Sequence, residues 1–516
     1  MKKALFVLIF LLLASMMPTP VTAQKSAPPT GSAFMDEAPA VTQHQIMVKG
    51  KALKYTARAD YLSIRDQYGE TKGRLFYIAY TADGPGGKAK RPVTFVWNGG
   101  PGSPSSMLHF ELLGPRRRLP KNNPAAAAVP YPVVDNEETL LALSDLVMVD
   151  PIGTGYSYVL KPEDGKLFWG ITQDRDAIVE FIRTYLTHYD LLEAPIFLVG
   201  ESYGTTRAAA VAEKLVDKEY ALMGIVMISS ALSLAEGGEL TFPLRIPSFT
   251  ATAFYHKKLP SDLQADLGKA LQQSADWAET EYAAALMKGD RLGGPERQAV
   301  AAKMARFTGL DPAVIEKANL RVDSEEFGRK LLASEKKTVG KYDSRITAGG
   351  GEGPYDVAKD PSLFARGGKP FLFTTYLRSE LGVRIDRLYR GPFGGIWPPP
   401  STPRGDWMSY NWEWGSLLDE NLDQAKSLAS ALKTKEDLRV LFVSGLYDLT
   451  TVYFATDYTI AHLGLDPKLR ANIGHKQYGG GHMMYSDDDV RLKLMEDLFA
   501  FYQSCLAPKD KGPATR

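Results

Sequence analysis

The sequence predicts an α/β fold: a mostly parallel central sheet, split by a largely helical insertion. Short runs such as "VTFVWN" (93–98), "DLVMVD" (145–150), "IFLVG" (196–200) and "GIVMISS" (224–230) are apolar throughout and rich in β-branched residues, as strands buried on both faces must be. Between them, Thr172 to Leu186 sets Ala177, Ile178, Phe181, Ile182, Tyr185 and Leu186 on one stripe with charges opposite. That is the pattern of a helix packed on a sheet. After Ser230 the alternation stops, and it resumes only at "LRVLFVSG" (438–445).

The chain opens with "MKKALFVLIFLLLASMMPTPVTAQ", where Lys2 and Lys3 precede an apolar run from Ala4 to Ala14, followed by small residues at Val21 and Ala23. This is the layout of an export signal cleaved after Ala23. The run is shorter than the roughly 20 residues that cross a bilayer, so no membrane span is expected in the mature chain. Residues 24–43, rich in Ala, Pro, Thr and Ser, read as a loose leader. Residues 44–230 then form the first part of the core, 231–430 the insertion and 431–508 the second part, with 509–516 a flexible tail. The insertion is helix-like and charged around "LPSDLQADLGKALQQSADWAETEYAAALMKG" and loop-rich at "GGGEGPYD" and "GGIWPPPSTPRGDW". An amphipathic helix, "DDVRLKLMEDLFAFYQSCL", closes the core.

Charge excludes several functions. With 61 Lys and Arg against 60 Asp and Glu in 516 residues, the chain has no net field to hold a polyanion, and nucleic acid is not an expected partner. Cys505 is the only cysteine, so no intrachain disulfide can form. No helix start or basic cluster adjoins it to lower its pKa, and it reads as an inert thiol. No Asn-x-Ser/Thr sequon occurs, so nothing points to a glycosylating route; a bacterial periplasm or the cell exterior is the expected location. Neither glycine-rich stretch has P-loop or dinucleotide spacing, and H-E-x-x-H and Cys/His clusters are absent. No metal or organic cofactor is expected.

Within this frame, Gly200-Glu201-Ser202-Tyr203-Gly204 spells G-x-S-x-G between the strand-like "IFLV" and the helix-forming "TTRAAAVAEKL". A serine hydroxyl is a weak nucleophile, and a sharp strand-to-helix turn helps by exposing its oxygen at the sheet edge. Ser202 is therefore the candidate nucleophile. It needs a base and an acid to orient that base, and behind such a turn these follow in the order Ser, Asp, His. Asp448 stands just past a strand in "VLFVSGLYDLTT". Of the histidines beyond it, His462 lies in the helical "YFATDYTIAHLGL" and His475 is followed directly by Lys476 with no turn to project it. His482, in "YGGGHMMY", sits on a glycine loop that can bring its ring to the serine. A tetrahedral intermediate also needs N–H donors for its oxyanion. The Tyr203 amide, directly after the nucleophile, is one; the Gly100 amide, in the loop of "VTFVWNGGPGSPSS", is the other.

The blocks "WNGGPGSPSS", "DPIGTGYSY", "GESYG", "SGLYD" and "GGGHMMY" together resemble, in order, those of the serine carboxypeptidases, peptidase family S10 of the α/β-hydrolases. The likeness covers about residues 90–230 and 440–490; the insertion and leader show no comparable match. It implies an α/β-hydrolase fold with the insertion as a cap, and an acyl-enzyme route through Ser202, Asp448 and His482. The implied reaction removes C-terminal residues from peptides with a free C-terminus. The resemblance also implies that Asn98, Gly99 and Glu201 bind the substrate carboxylate and that Met483 lines the leaving-residue pocket. A carboxyl group can donate to a carboxylate only when protonated, and two like charges raise a pKa, so binding through Glu201 favours acid. The plainer expectation for Glu201 is an ion pair with a neighbouring arginine.

Two departures stand out. Ser103 occupies the place of a family cysteine, and the disulfides that hold many members' caps are absent. A second glutamate that supports the carboxylate pair has no counterpart in register, Glu111 being one position out. Because fold does not fix substrate, the alternative is an esterase or acyltransferase using the same triad on non-peptide acyl groups, with cyanohydrin cleavage third. Outside enzymes, the alternative is a binding protein that retains the pocket without catalysis.

Overall fold

Among the described residues, ten strands from both halves of the chain build the central sheet, nine of them in line. In this computed structural model the described residues are 38–83, 91–119, 132–232, 238–350, 359–365, 370–391, 412–413 and 423–507. The expected export signal, most of the leader, the tail and "GGIWPPPSTPRGDW" lie outside them. The strands are β1 (Ala40–Val48), β2 (Lys51–Arg65), β3 (Thr71–Ala82), β4 (Val93–Trp97), β5 (Asp145–Val149), β6 (Ile196–Glu201), β7 (Leu222–Ile228), β8 (Arg439–Gly445) and β9 (Ile473–Tyr478). Their order across the sheet is β1-β2-β3-β5-β4-β6-β7-β8-β9, and Tyr158–Val159 adds a short strand on β3.

From β5 to β9 every pairing is parallel, whereas β1, β2, β3 and β5 pair antiparallel. The two regions read differently in sequence because they are buried differently. β4, β5 and β6 are buried at every residue. Neighbouring residues still serve opposite cores: Phe95 and Leu198 pack on one face, Val96 and Phe197 on the other. β2 instead alternates, burying Tyr55, Ala57, Ala59 and Tyr61 in the period of two expected of a half-covered strand. Sequence reasoning named none of the three N-terminal strands, and β1 begins at Ala40, inside the segment expected to be a loose leader.

Helix α1 (Ile171–His188) buries the predicted stripe of Ala177, Ile178, Phe181, Ile182, Tyr185 and Leu186. It shares one face of the sheet with α2 (Tyr203–Asp217), which follows β6 after a single residue. Through the insertion, α3 (Thr241–Tyr255) and further helices, among them Leu267–Trp277 and Gly294–Thr308, gather their own core around Phe249, Trp277, Tyr282, Met304 and Phe327. Leu449 belongs to that same cluster. The chain re-enters the sheet through α4 (Gln424–Thr434), follows β8 with α5 (Tyr453–Ala461) and closes with α6 (Asp488–Leu506) on the opposite face.

Candidate active site

Between β6 and α2 stands Ser202 alone, with φ 58° and ψ −130°. A non-glycine residue held there costs on the order of 1–3 kcal/mol, so neighbouring structure must impose it. Close backbone approach does so. A Cβ at Gly200 would lie 2.2 Å from the Gly204 carbonyl oxygen, and one at Gly99 would lie 2.6 Å from both the Glu201 oxygen and the Tyr203 nitrogen. Glycine at both places lets β6, α2 and the loop after β4 meet around the serine. The Ser202 amide donates to the Ile228 carbonyl at 2.9 Å, and the residue stays partly exposed.

Asp448, three residues beyond β8, is wholly buried and fully engaged. Its Oδ1 accepts from the amides of Thr450 at 2.7 Å and Thr451 at 3.0 Å. Its Oδ2 accepts from the Thr451 hydroxyl at 2.7 Å and pairs with His482 Nδ1 at 2.7 Å. With the Nδ1 proton directed at Asp448, the ring lone pair falls on Nε2. The His482 carbonyl accepts from Ser229 Oγ at 2.6 Å. Ile228 and Ser229 are consecutive at the end of β7, so Ser202 and His482 hang from adjacent residues of one strand end.

The insertion braces the same pair. The His482 amide donates to the Tyr342 carbonyl at 2.6 Å, and the two rings meet edge to face at 5.4 Å. Leu449 N donates to Lys341 O and Ser344 N to Tyr447 O, each at 3.0 Å, while Arg345 Nη1 reaches the Gly479 carbonyl at 2.7 Å. Among the described residues, a Ser–His–Asp chain also runs through His475, which bonds Asp457 through Nδ1 at 2.7 Å and Ser444 through Nε2 at 3.0 Å. Ser444, however, is buried inside β8 with no turn to expose it. His462 Nδ1 donates locally, to the Tyr458 carbonyl at 2.7 Å.

The loop after β4 carries the remaining candidates. Gly100 has φ 108°, and Tyr203 opens α2, where a backbone amide has no acceptor within the helix. Asn98 is fully buried. Its Oδ1 accepts from Leu108 N at 3.1 Å, and its carbonyl accepts from Arg207 Nη1 at 3.0 Å. Its Nδ2 has no partner among the described residues. An unsatisfied buried donor costs about 1–3 kcal/mol, which a ligand oxygen would recover. Glu201, also buried, accepts at Oε2 from the Tyr485 hydroxyl. Met483 is buried in the core on the α6 face of the sheet.

Buried ionisable groups surround this loop. Asp150 accepts from the amide and hydroxyl of Ser105, each at 2.9 Å. Burial pushes its pKa up to about 6, with the Ser105 bonds opposing the rise. His109, bonded to the Tyr80 hydroxyl at 2.7 Å, is pulled down by burial to about 3 and is neutral in ordinary buffers. Among the described residues, no group of three or more His, Cys, Asp or Glu is arranged for a metal ion.

The family model for serine carboxypeptidases matches residues 48–340, more than half of the 516. The chain belongs to that family. It is thus a serine-type carboxypeptidase by family, on an α/β-hydrolase fold. The match ends before Asp448 and His482, so their pairing stands on geometry. No curated protein matches the enzyme in sequence. Among solved structures it is similar to Kex1Δp, a prohormone-processing carboxypeptidase from Saccharomyces cerevisiae. Identity is 15% and the TM-score 0.53, over 87% of this chain and 92% of that one. A proline iminopeptidase from Mycobacterium smegmatis is 14% identical with TM-score 0.33, covering 86% of this chain and 99% of its own. A thermophilic esterase from Thermogutta terrifontis is 13% identical with TM-score 0.37, likewise over 86% and 99%.

The carboxypeptidase's departures take concrete form. Glu111 pairs with Arg118 at 2.9 Å and accepts from Ser486 Oγ at 3.4 Å, and Ser103 is buried with its amide on the Gly99 carbonyl. Sequence reasoning missed Thr451, Tyr485 and the Asp174–Arg207 pair. A signal existed for the first: an Asp followed by Thr two and three residues later is the pattern of a side chain capping its own turn. Tyr485 closes the block "GGGHMMY", but nothing in that spacing points to Glu201. No described helix of the enzyme is long and apolar enough to cross a membrane.

Proposed function

We propose that the protein is an exported carboxypeptidase that removes residues from the free C-terminus of peptides, using Ser202, Asp448 and His482. His482 Nε2 takes the proton of Ser202 Oγ as that oxygen attacks the last peptide carbonyl. Asp448 holds the ring and stabilises the imidazolium. The amides of Gly100 and Tyr203 receive the oxyanion, a contribution of roughly 10²–10³ in rate per donor. His482 then returns the proton to the departing amino group, leaving an acyl-Ser202 that water hydrolyses by the same route. Asn98, Gly99 and Glu201 hold the carboxylate of the residue that leaves, beside Met483.

What carries the exopeptidase reading is the buried Asn98 Nδ2, a donor without a partner among the described residues on the loop that meets the serine turn. Export rests on the layout of the first 24 residues, and a periplasmic or extracellular location follows from it. No cofactor enters this scheme.

The test incubates the protein with matched peptides carrying free or amidated C-termini, at acid and neutral pH, beside Ser202→Ala, with products followed by mass spectrometry. Stepwise loss from the free terminus only, absent in the variant, is the expected result. Equal cleavage of both peptides would remove the carboxylate site. Ester hydrolysis without any peptide cleavage would transfer the triad to an esterase or acyltransferase.

A further inference from the structure

Behind the serine lies a charged system that the chemistry above does not use. Arg207, on α2, and Asp174, in the first turn of α1, form an ion pair at 2.7 Å with side chains only 1% and 6% exposed. Such a pair is weak evidence for stability, because desolvation rivals the attraction and apolar replacements are often neutral. Burial raises the pKa of Asp174, and the guanidinium opposes that rise. The pair is instead distinguished by what it grips. Arg207 Nη1 donates to the Asn98 carbonyl at 3.0 Å, and Asp174 Oδ2 accepts from the Tyr203 hydroxyl at 3.1 Å. The guanidinium also lies 5.1 Å from the centre of the Tyr203 ring.

Asn98 and Tyr203 belong to the two backbones that nearly touch at Gly99, whose Cβ position is 2.6 Å from Tyr203 N. Trp97 Nε1 ties the same two segments again at the Gly204 carbonyl, 2.8 Å away. We propose that Arg207 and Asp174 are positioning residues that fix the spacing between the Gly100 and Tyr203 amides and so complete the oxyanion hole. This rests on Ser202 being the nucleophile. The demand is geometric: donors stabilise an oxyanion only within about 2.7–3.1 Å, and a shift near 1 Å costs ~10²-fold. Arg suits the place because its fork bonds Asp174 through Nε and Asn98 through Nη1 at once; a lysine ammonium has no such fork. The clamp grips the Asn98 main chain, whereas its side chain has a second anchor in Leu108 N, so carboxylate binding should suffer less than the oxyanion hole.

The experiment compares Arg207→Lys with the double variant Asp174→Leu/Arg207→Met, which leaves no unpaired buried charge. Melting curves select folded protein. Each variant is assayed on a free-acid peptide and on an ester without a carboxylate, and titrated with a peptide boronate that forms a tetrahedral adduct on a catalytic serine. A roughly 10–100-fold fall in kcat on both substrates is expected, with KM for the peptide within about threefold and boronate affinity reduced by the same factor as kcat. A folded double variant with kcat within twofold of the parent, or a loss confined to KM, would overturn the assignment. Ser202→Ala in the same assays separates the two claims. If it stays active, the nucleophile is wrong; if it is dead while the double variant is fully active, only the positioning role fails.

Discussion

The substitution Asn98→Asp changes one atom at the point on which exopeptidase specificity is proposed to turn. The acceptor that holds Leu108 N at 3.1 Å is retained, the volume is unchanged, and the unpartnered Nδ2 donor becomes an oxygen. A hydrogen bond to a charged group is worth about 1.5–3 kcal/mol, so losing the donor to the substrate carboxylate alone weakens binding by roughly 10–150-fold at ~1.4 kcal/mol per decade. The introduced carboxyl group, when ionised, would add repulsion on the order of 4 kcal/mol at 4 Å and an effective dielectric of 20. The assay is steady-state kinetics on a peptide with a free C-terminus and on its amide. KM should rise at least tenfold for the free acid, and the amide should not lose activity. Equal loss on both substrates would mean that Asn98 acts on the fold or the oxyanion loop, and an unchanged KM would mean that the substrate carboxylate lies elsewhere.

Three further substitutions follow from the same geometry. Thr451→Val removes the hydroxyl bonded to Asp448 Oδ2 at 2.7 Å while the amides of Thr450 and Thr451 still hold Oδ1; at about 1.5–3 kcal/mol for a bond to a charged group, kcat should fall by roughly tenfold or more, measured on any ester. Tyr485→Phe takes the phenol from Glu201 Oε2, and KM for free-acid peptides should change at least threefold with kcat on esters unaltered. Asp150 has a folded pKa raised from 3.8 to about 6, so above that pH the buried carboxylate opposes folding, and as pH falls from 6 towards 4 the native state gains a proton before the unfolded chain does. Asp150→Asn removes this dependence: its stability advantage over the parent should be larger at pH 7 than at pH 4.5 by on the order of 2 kcal/mol, and a gap that stays constant in urea melts across that range would sink the assignment.

Most of the candidate site was legible in the sequence as a proposal, because local chemistry demands its residues. The serine turn needs glycine where backbones close to 2.2 Å of a hypothetical Cβ at Gly200, and that need is written as G-x-S-x-G between a strand and a helix. Asp448 and His482 stand where strands β8 and β9 end; β8, buried from Val440 to Gly445, announces itself as an apolar run, whereas β9, buried only at Ile473 and Tyr478, does not. Elsewhere the determining contacts are distant in sequence. Tyr485 meets Glu201 across 284 positions, and Arg207 meets Asn98 across 109. No spacing rule connects such residues. β1 to β3 were hidden for a different reason: their half-covered faces mix charges with apolar residues, and alternation such as "YTARADY" is a weaker signal than a continuous apolar run.

The insertion shows no motif blocks in its sequence, yet the family match runs on through its residues 231–340, and its fold reaches the candidate site. It leaves the sheet just after Ser229, the residue that bonds the His482 carbonyl, and the chain rejoins the sheet at β8, directly ahead of Asp448. Between those points, Lys341 to Arg345 runs alongside both loops, taking N–H groups of Leu449 and His482 and donating to the carbonyls of Tyr447 and Gly479. Three of these bonds join main-chain groups and constrain where the loops lie without specifying residue type; the fourth needs the Arg345 side chain. The Asp448–His482 pair is therefore held by main-chain contacts from the segment just beyond residue 340, where the family match ends. Glycine permits this close approach: a Cβ at Gly481 would lie 2.3 Å from the Tyr342 carbonyl oxygen, and one at Gly480 2.6 Å from the Met484 Cβ.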